Sequence, residues 1–174
     1  MVQPRLVAAV RRLALRTSAP IEFVDITAQV ATAVRDGGVR EGVASVCSQH
    51  TTAAVRVQEA EPLLLQDLRQ FLERQAPATD PYRHNDFRIR TVNMHPDERA
   101  NGHSHCLQLL LGSSESIAIS AGRLQLGKWQ RVFLVELDGP RAHREVLVQI
   151  VGLADGRSDP RRIRATRTHP GPTA

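Results

Sequence analysis

The stretch SIAISAGRLQLGKWQRVFLVELDGP, Ser116 to Pro140, decides the fold. Ile117 and Ile119 alternate with small residues, Ala121-Gly122 supplies a turn, Leu124 and Leu126 alternate again, and Gly127-Lys128 supplies a second turn. Period-two alternation places successive side chains on opposite faces, so these are short half-buried strands joined by tight turns. Val132 to Leu137 forms a further strand, Asp138-Gly139-Pro140 breaks the chain, and Val146 to Val151 resumes it.

Upstream the pattern mixes strands with helices. Leu13 and Leu15 alternate with Arg12, Ala14 and Arg16 in an opening strand, a short amphipathic helix being the competing reading. Asp25 or Thr27 caps a helix whose Ile26, Val30, Ala33 and Val34 share one side, and Gly37 and Gly38 stop it. Strands follow from about Val43 to Ser48 and from Ala53 to Gln58, with the polar HTT run at their junction. Pro62 sits in the first turn of the clearest helix, where its missing N–H costs nothing, and Leu64, Leu65, Leu68, Phe71 and Leu72 make its apolar stripe as far as Ala76. A long irregular segment contains a short strand around Ile89 to Val92, and a third helix runs from near Asn101 to Gly112. The sum is an α+β domain: a β-rich, two-layer antiparallel sheet or sandwich with about three helices, over residues 1–154.

Composition narrows the class. The chain has 174 residues, 41% apolar and 24% charged, which is ordinary for one globular domain. Cys47 and Cys106 have no framework spacing and read as core thiols in a reducing cytoplasm. No apolar run approaches the roughly 20 residues of a spanning helix, and Arg11, Arg12 and Arg16 interrupt the N-terminal apolar residues, so neither a membrane span nor a secretory leader is expected. The formal charge of +5 is concentrated in residues 155–174, where Arg157, Arg161, Arg162, Arg164 and Arg167 face only Asp155 and Asp159. With 3% aromatic residues and a nearly balanced body, no basic helix or ladder of aromatics suggests a stacking surface, and nucleic-acid binding is not expected. The basic tail, with Pro160, Pro170 and Pro172, reads as a mobile, dispensable extension.

Chemistry is concentrated in histidines. Five of the seven lie between His50 and His105. Imidazole is the commonest metal ligand and the side chain most easily tuned to move protons near neutral pH. His84, His103 and His105 can hold a divalent metal, zinc before magnesium, with one position open for water, and Asp86 can orient a ligand. His103 and His105 share a face of an extended segment but not of a helix, so joint ligation needs the NGHSH run to be a loop or a frayed helix start. Otherwise His103 serves the helix start and His105 is a core histidine. His50 can act as acid or base, with Thr51 and Thr52 hydroxyls binding phosphate oxygens, or it is a strand-end histidine bonded to backbone. Arg141 and Arg144 offer planar forks for phosphate, whereas Lys128 reads as solvated and Trp129 as a packing residue. Glu61 favours the helix dipole and needs no substrate.

SQHTTAAV from Ser48, EAEPLLLQDL from Glu59, YRHND, NGHSH, the LLLGSSES run, GRLQLGKWQRVFLVELDGPR and the closing REVLV strand together resemble the YjbQ family, over roughly Thr17 to Val151. The resemblance implies a β-rich domain that assembles as a homotrimer, and the activity of a secondary thiamine-phosphate synthase. It also implies a polar site of His50, Thr51, His84, Asp86, Asn101, His103 and His105. Cys47, Cys106 and the basic tail fall outside the family pattern. Three functions remain open: a transferase joining a pyrimidine methyl diphosphate to a thiazole phosphate, a metal-dependent hydrolase of a small metabolite, and a non-enzymatic metal- or metabolite-binding trimer. No acidic diphosphate-binding motif or glycine-rich phosphate loop supports the first, and histidine ligands suit the second better.

Overall fold

A computed structural model describes residues 3–155. Its strands and helices run β1 (Arg5–Leu15), β2 (Glu22–Asp25), α1 (Thr27–Gly37), β3 (Glu41–Ser48), β4 (Ala53–Glu59), α2 (Pro62–Gln75), α3 (Gly102–Leu111), β5 (Ser114–Ser120), β6 (Arg123–Leu124), β7 (Gln130–Glu136) and β8 (Arg144–Ala154), with a single 3-10 turn at Arg83–Asn85 between α2 and α3. The fold is mixed α+β, with two antiparallel sheets and three helices. One sheet has the order β1-β8-β3-β5-β6 and the other β2-β7-β4.

The sheets face each other across a core of Val46, Val55, Leu134, Val148 and Ile150, to which α1 contributes Val30 and Val34. Strand β7 departs from simple alternation because both of its faces are covered. Val132 and Leu134 point into this core, while Phe133, Val135 and Leu137 join a second cluster with Leu107 of α3 and Leu72 of α2. Phe23 of β2 meets Phe133 edge to face, with centroids 6.0 Å apart. Full burial of a leucine or phenylalanine contributes about 1.5–3 kcal/mol, so β7 is the most stabilised strand of the smaller sheet.

Local signals explain the element ends. Glu61 accepts hydrogen bonds from Leu63 N–H at 3.0 Å and Leu64 N–H at 2.6 Å, satisfying donors that a helix start leaves open, while Pro62 occupies the first turn. Gly112 stops α3 at φ 81°, a conformation disfavoured for residues with a Cβ.

Several expectations from the sequence are corrected. No strand forms at Ile89 to Val92. The Asp86 carbonyl accepts from both Ile89 N–H and Arg90 N–H, and its carboxylate accepts from Arg88 N–H, so local turn bonds replace a sheet ladder. Strand β2, only four residues long, had no alternation to betray it. Cys106 is exposed and Cys47 half-buried, so neither is a core thiol. Trp129 is 60% exposed and does not pack inside; the Lys128 ammonium lies 4.4 Å from its ring centroid instead. Leu126 lies beyond β6, which ends at Leu124. Among the described residues no helix is long and apolar enough to cross a membrane. Apart from Asp155, which stands 3.6 Å from Arg40, the basic tail lies outside the described residues.

Candidate functional site

The polar residues gather where β7 ends, β8 begins, the His50–Thr52 turn crosses between the sheets and α3 starts. At their centre is Glu136, fully buried at the end of the apolar run Val132 to Val135 of β7. Its carboxylate accepts from Arg144 Nε at 2.7 Å, Thr17 Oγ1 at 2.8 Å, and the backbone N–H groups of Leu137 at 2.9 Å and Asp138 at 2.8 Å. Burial alone would raise the Glu136 pKa, but the Arg144 hydrogen bond and charge, with the bonds from Asp138 and Thr17, outweigh it and hold the carboxyl below its usual value. Arg144 also donates to Thr52 Oγ1 at 3.1 Å. Thr52, read from the sequence as a phosphate-binding hydroxyl, is therefore buried against Arg144. Arg144 is buried with Glu136, while Thr51 alone of the two threonines is exposed.

His50 sits on the same network. Its Nε2 accepts the Glu145 backbone N–H at 2.7 Å. An amide only donates, so the neutral ring carries its proton on Nδ1, and Nε2 is not free to act as a base. Burial first, then the Arg144 cation, lowers the His50 pKa from 6.5, with Glu136 and Glu145 pulling the other way. The reading of His50 as a strand-end histidine bonded to backbone describes this contact.

The remaining histidines are set by α3 and the 3-10 turn that packs on it. Asn85 Oδ1 accepts Gly102 N–H at 2.9 Å, filling one of the open donors of α3 from outside the helix. This close approach needs glycine, because a Cβ on Gly102 would stand 2.6 Å from Tyr82 Cβ. The turn thereby brings His84 onto His105, with ring centroids 4.6 Å apart and planes at 68°. His103 faces Tyr82 instead, with centroids 6.3 Å apart. Helix α3 already begins at Gly102, so the NGHSH run is helical and its two histidines point to different sides.

Burial lowers the pKa of both His103 and His105. For His105 the neighbouring His84 adds to the effect, while Asp138 and a hydrogen bond with the Thr51 backbone oppose it. Ser104 Oγ donates its one proton to Leu137 O, so it receives the His103 Nε2–H at 3.1 Å, which leaves Nδ1 as a bare lone pair. That atom, His84 Nε2 and Asn101 Oδ1 are all buried without a hydrogen-bond partner. Such atoms are few in folded proteins; His103 Nδ1 and Asn101 Oδ1 belong to the start of α3, and His84 Nε2 to the 3-10 turn packed on it.

The other sequence-read residues are placed as follows. Asp86 turns away from the histidines and accepts from Arg88 Nε at 2.9 Å and Nη2 at 2.8 Å, which lowers its pKa. Asn101 donates to Asp138 Oδ2 at 3.1 Å. Arg141 is ion-paired with the same carboxylate and donates from Nε to the Asp138 carbonyl at 3.0 Å. Glu136 and Asp138 escaped sequence reasoning, although one acidic residue inside VFLVEL was a visible interruption of an apolar run. A catalytic zinc takes three protein ligands. Among the described residues no group of three or more His, Cys, Asp or Glu side chains is arranged to hold a metal ion.

The comparisons with known proteins agree with this architecture. A UPF0047 protein of Methanothermobacter thermautotrophicus is 37% identical over 142 residues, 82% of this chain and 91% of the relative. The UPF0047 protein YugU of Bacillus subtilis is 28% identical over 82% of this chain and 98% of its own. Among solved structures, a YbjQ-like protein of unknown function from Sulfolobus solfataricus P2 superposes with a TM-score of 0.77 at 30% identity, covering 85% of this chain and 99% of that one. An uncharacterized conserved protein from Clostridium acetobutylicum gives 0.71 at 36% identity, covering 80% and 98%. The family described as UPF0047 protein YjbQ-like matches residues 11–153, and the chain belongs to that family.

Proposed function

We propose that the chain is an enzyme of small phosphorylated metabolites, with transfer of the thiamine-phosphate-synthase type as its reaction, working at the start of α3. One observation carries the reading: His103 Nδ1 and Asn101 Oδ1 at the start of α3, and His84 Nε2 on the 3-10 turn that packs against it, are buried and unpartnered. Imidazoles kept neutral by burial suit proton transfer near pH 7, and His50 supplies an Nδ1–H donor rather than a base. The exposed Thr51 hydroxyl remains able to meet a phosphate oxygen, and Arg141 is one-third exposed beside Asp138.

We read the His84–His105 pair as what one chain contributes to a zinc site whose further donor comes from a neighbouring subunit. The apolar surface supports a homotrimer: Leu109 is 81% and Leu110 66% exposed on α3, and Leu63 and Phe71 are exposed on α2. Large apolar side chains left exposed on helices favour association, which would cover them.

The test incubates the untagged protein with a pyrimidine methyl diphosphate and a thiazole phosphate, follows pyrophosphate release, and measures bound metal by elemental analysis. Turnover lost in His84→Ala and His105→Ala supports the proposal. A bound ion with no turnover on these or other phosphorylated metabolites would replace it with a binding role.

A further inference from the structure

The long connection between α2 and α3 builds a cleft of about 480 Å³ against the 3-10 turn, lined by Arg83, His84, Ile89, Arg90, Val92 and Asn93. Its volume is in the range of small-molecule sites. The lining divides into two chemistries. Ile89 and Val92 are exposed aliphatic side chains with no core to fill, and Arg83 and Arg90 are cations.

The cations differ in one respect. Arg90 is committed, donating to Asn93 O at 2.8 Å and standing 3.3 Å from Glu98. The Arg83 guanidinium is exposed and has no hydrogen bond or ion pair among the described residues. An unengaged planar fork beside apolar walls matches a phosphate carried on an apolar body, since arginine meets phosphate oxygens with two parallel N–H donors. His84, whose buried Nε2 lacks a partner, lines the same cleft, so a ligand seated there lies next to the His84–His105 pair.

We infer that this cleft is a binding subsite for an organic phosphomonoester: Arg83 holds the phosphate, and Ile89 and Val92 flank the apolar body. This deepens, and rests on, the reading of the α3 site as one for phosphorylated metabolites.

The full-length protein is titrated by calorimetry with phenyl phosphate, inorganic phosphate and benzyl alcohol. Phenyl phosphate should bind about tenfold more tightly than either of the others, because only it engages both chemistries. Arg83→Ala should weaken phenyl phosphate and inorganic phosphate by about tenfold, with Arg83→Lys in between. Ile89→Asn should weaken phenyl phosphate and leave inorganic phosphate unchanged. Arg83 is exposed and bonded through its side chain to nothing, so its variants keep the fold, which circular dichroism verifies. Equal binding of phenyl phosphate to wild type and Arg83→Ala overturns the subsite, as does phenyl phosphate binding no better than inorganic phosphate. Turnover with an unchanged KM in Arg83→Ala sinks the subsite and leaves the enzymatic reading standing. Arg83-dependent binding without any turnover leaves the subsite and sinks the enzymatic reading.

Discussion

The His84 and His105 imidazoles meet edge to face, with centroids 4.6 Å apart, so a proton on one ring opposes a proton on the other. Burial of His105 acts in the same direction. Replacing His84 by alanine removes a neighbouring charge and admits water, and both changes should raise the His105 pKa. A proton-detected NMR titration should find His105 below 6.5 in the wild type and moved upward in His84→Ala. An identical titration in the two proteins would mean that the rings do not touch in solution.

The pH dependence of folding has a definite sign. His50, His103 and His105 are all held below 6.5 in the folded chain, each chiefly by burial. Between the folded and unfolded values the unfolded chain binds more protons, so stability from these groups is complete above about 6.5 and is lost as the pH falls below it. Denaturant midpoints measured from pH 8 to pH 5 should decline most steeply below 6.5. The decline should be shallower in His50→Asn, whose amide does not titrate.

The Glu136–Arg144 pair should be expensive to break from one side. Glu136→Gln or Arg144→Met leaves a buried charge without its counterpart, at a cost of about 3–5 kcal/mol. The double change Glu136→Leu with Arg144→Met removes both charges and should cost less than either single change. Urea unfolding measures all three, and single variants within experimental error of wild type would show that the pair is not buried.

Gly102 is a test of how the site is positioned. Its Cβ would stand 2.6 Å from Tyr82 Cβ and 3.2 Å from Asn85 Oδ1. Gly102→Ala should therefore push the 3-10 turn away from α3, cost about 1–3 kcal/mol as overpacking does, and separate His84 from His105. The NMR signature of the histidine pair and the melting temperature should change together. A variant with an unchanged His105 titration would show that the turn yields without moving His84.

Assembly is measured by light scattering. The wild type should have the mass of a homotrimer at micromolar concentration, and Leu109→Asp with Leu110→Asp should shift it toward the monomer. A wild-type monomer would dispose of the trimer and of any site shared between subunits.

Periodicity revealed most of the fold because most elements bury one face. The alternation around Ile117 and Ile119, and the helical stripe ending at Leu72, reported their surroundings directly. It failed where the deciding bonds are not periodic. Ile89 to Val92 has strand-forming residues, yet Asp86 holds its backbone in turns, and β2 is a strand only because β7 lies alongside it. In the site, the importance of the histidines was legible, and so was the rule that His103 and His105 diverge once helical. That His84 comes to His105 was expected of the histidine set; what was not legible is the contact that brings it there, Asn85 reaching the helix start. Arg144 looked like a phosphate ligand for a similar reason: nothing in the order of residues shows that Glu136 comes to lie beneath it.

Glu136 belongs to the smaller sheet and Arg144 to the larger. Their bond acts as a rivet through both layers at the end of β7 and the start of β8. The start of α3 hangs on the same corner through Ser104 on the Leu137 carbonyl and Asn101 on the Asp138 carboxylate, so damage to the rivet is expected to reach the histidines of that helix.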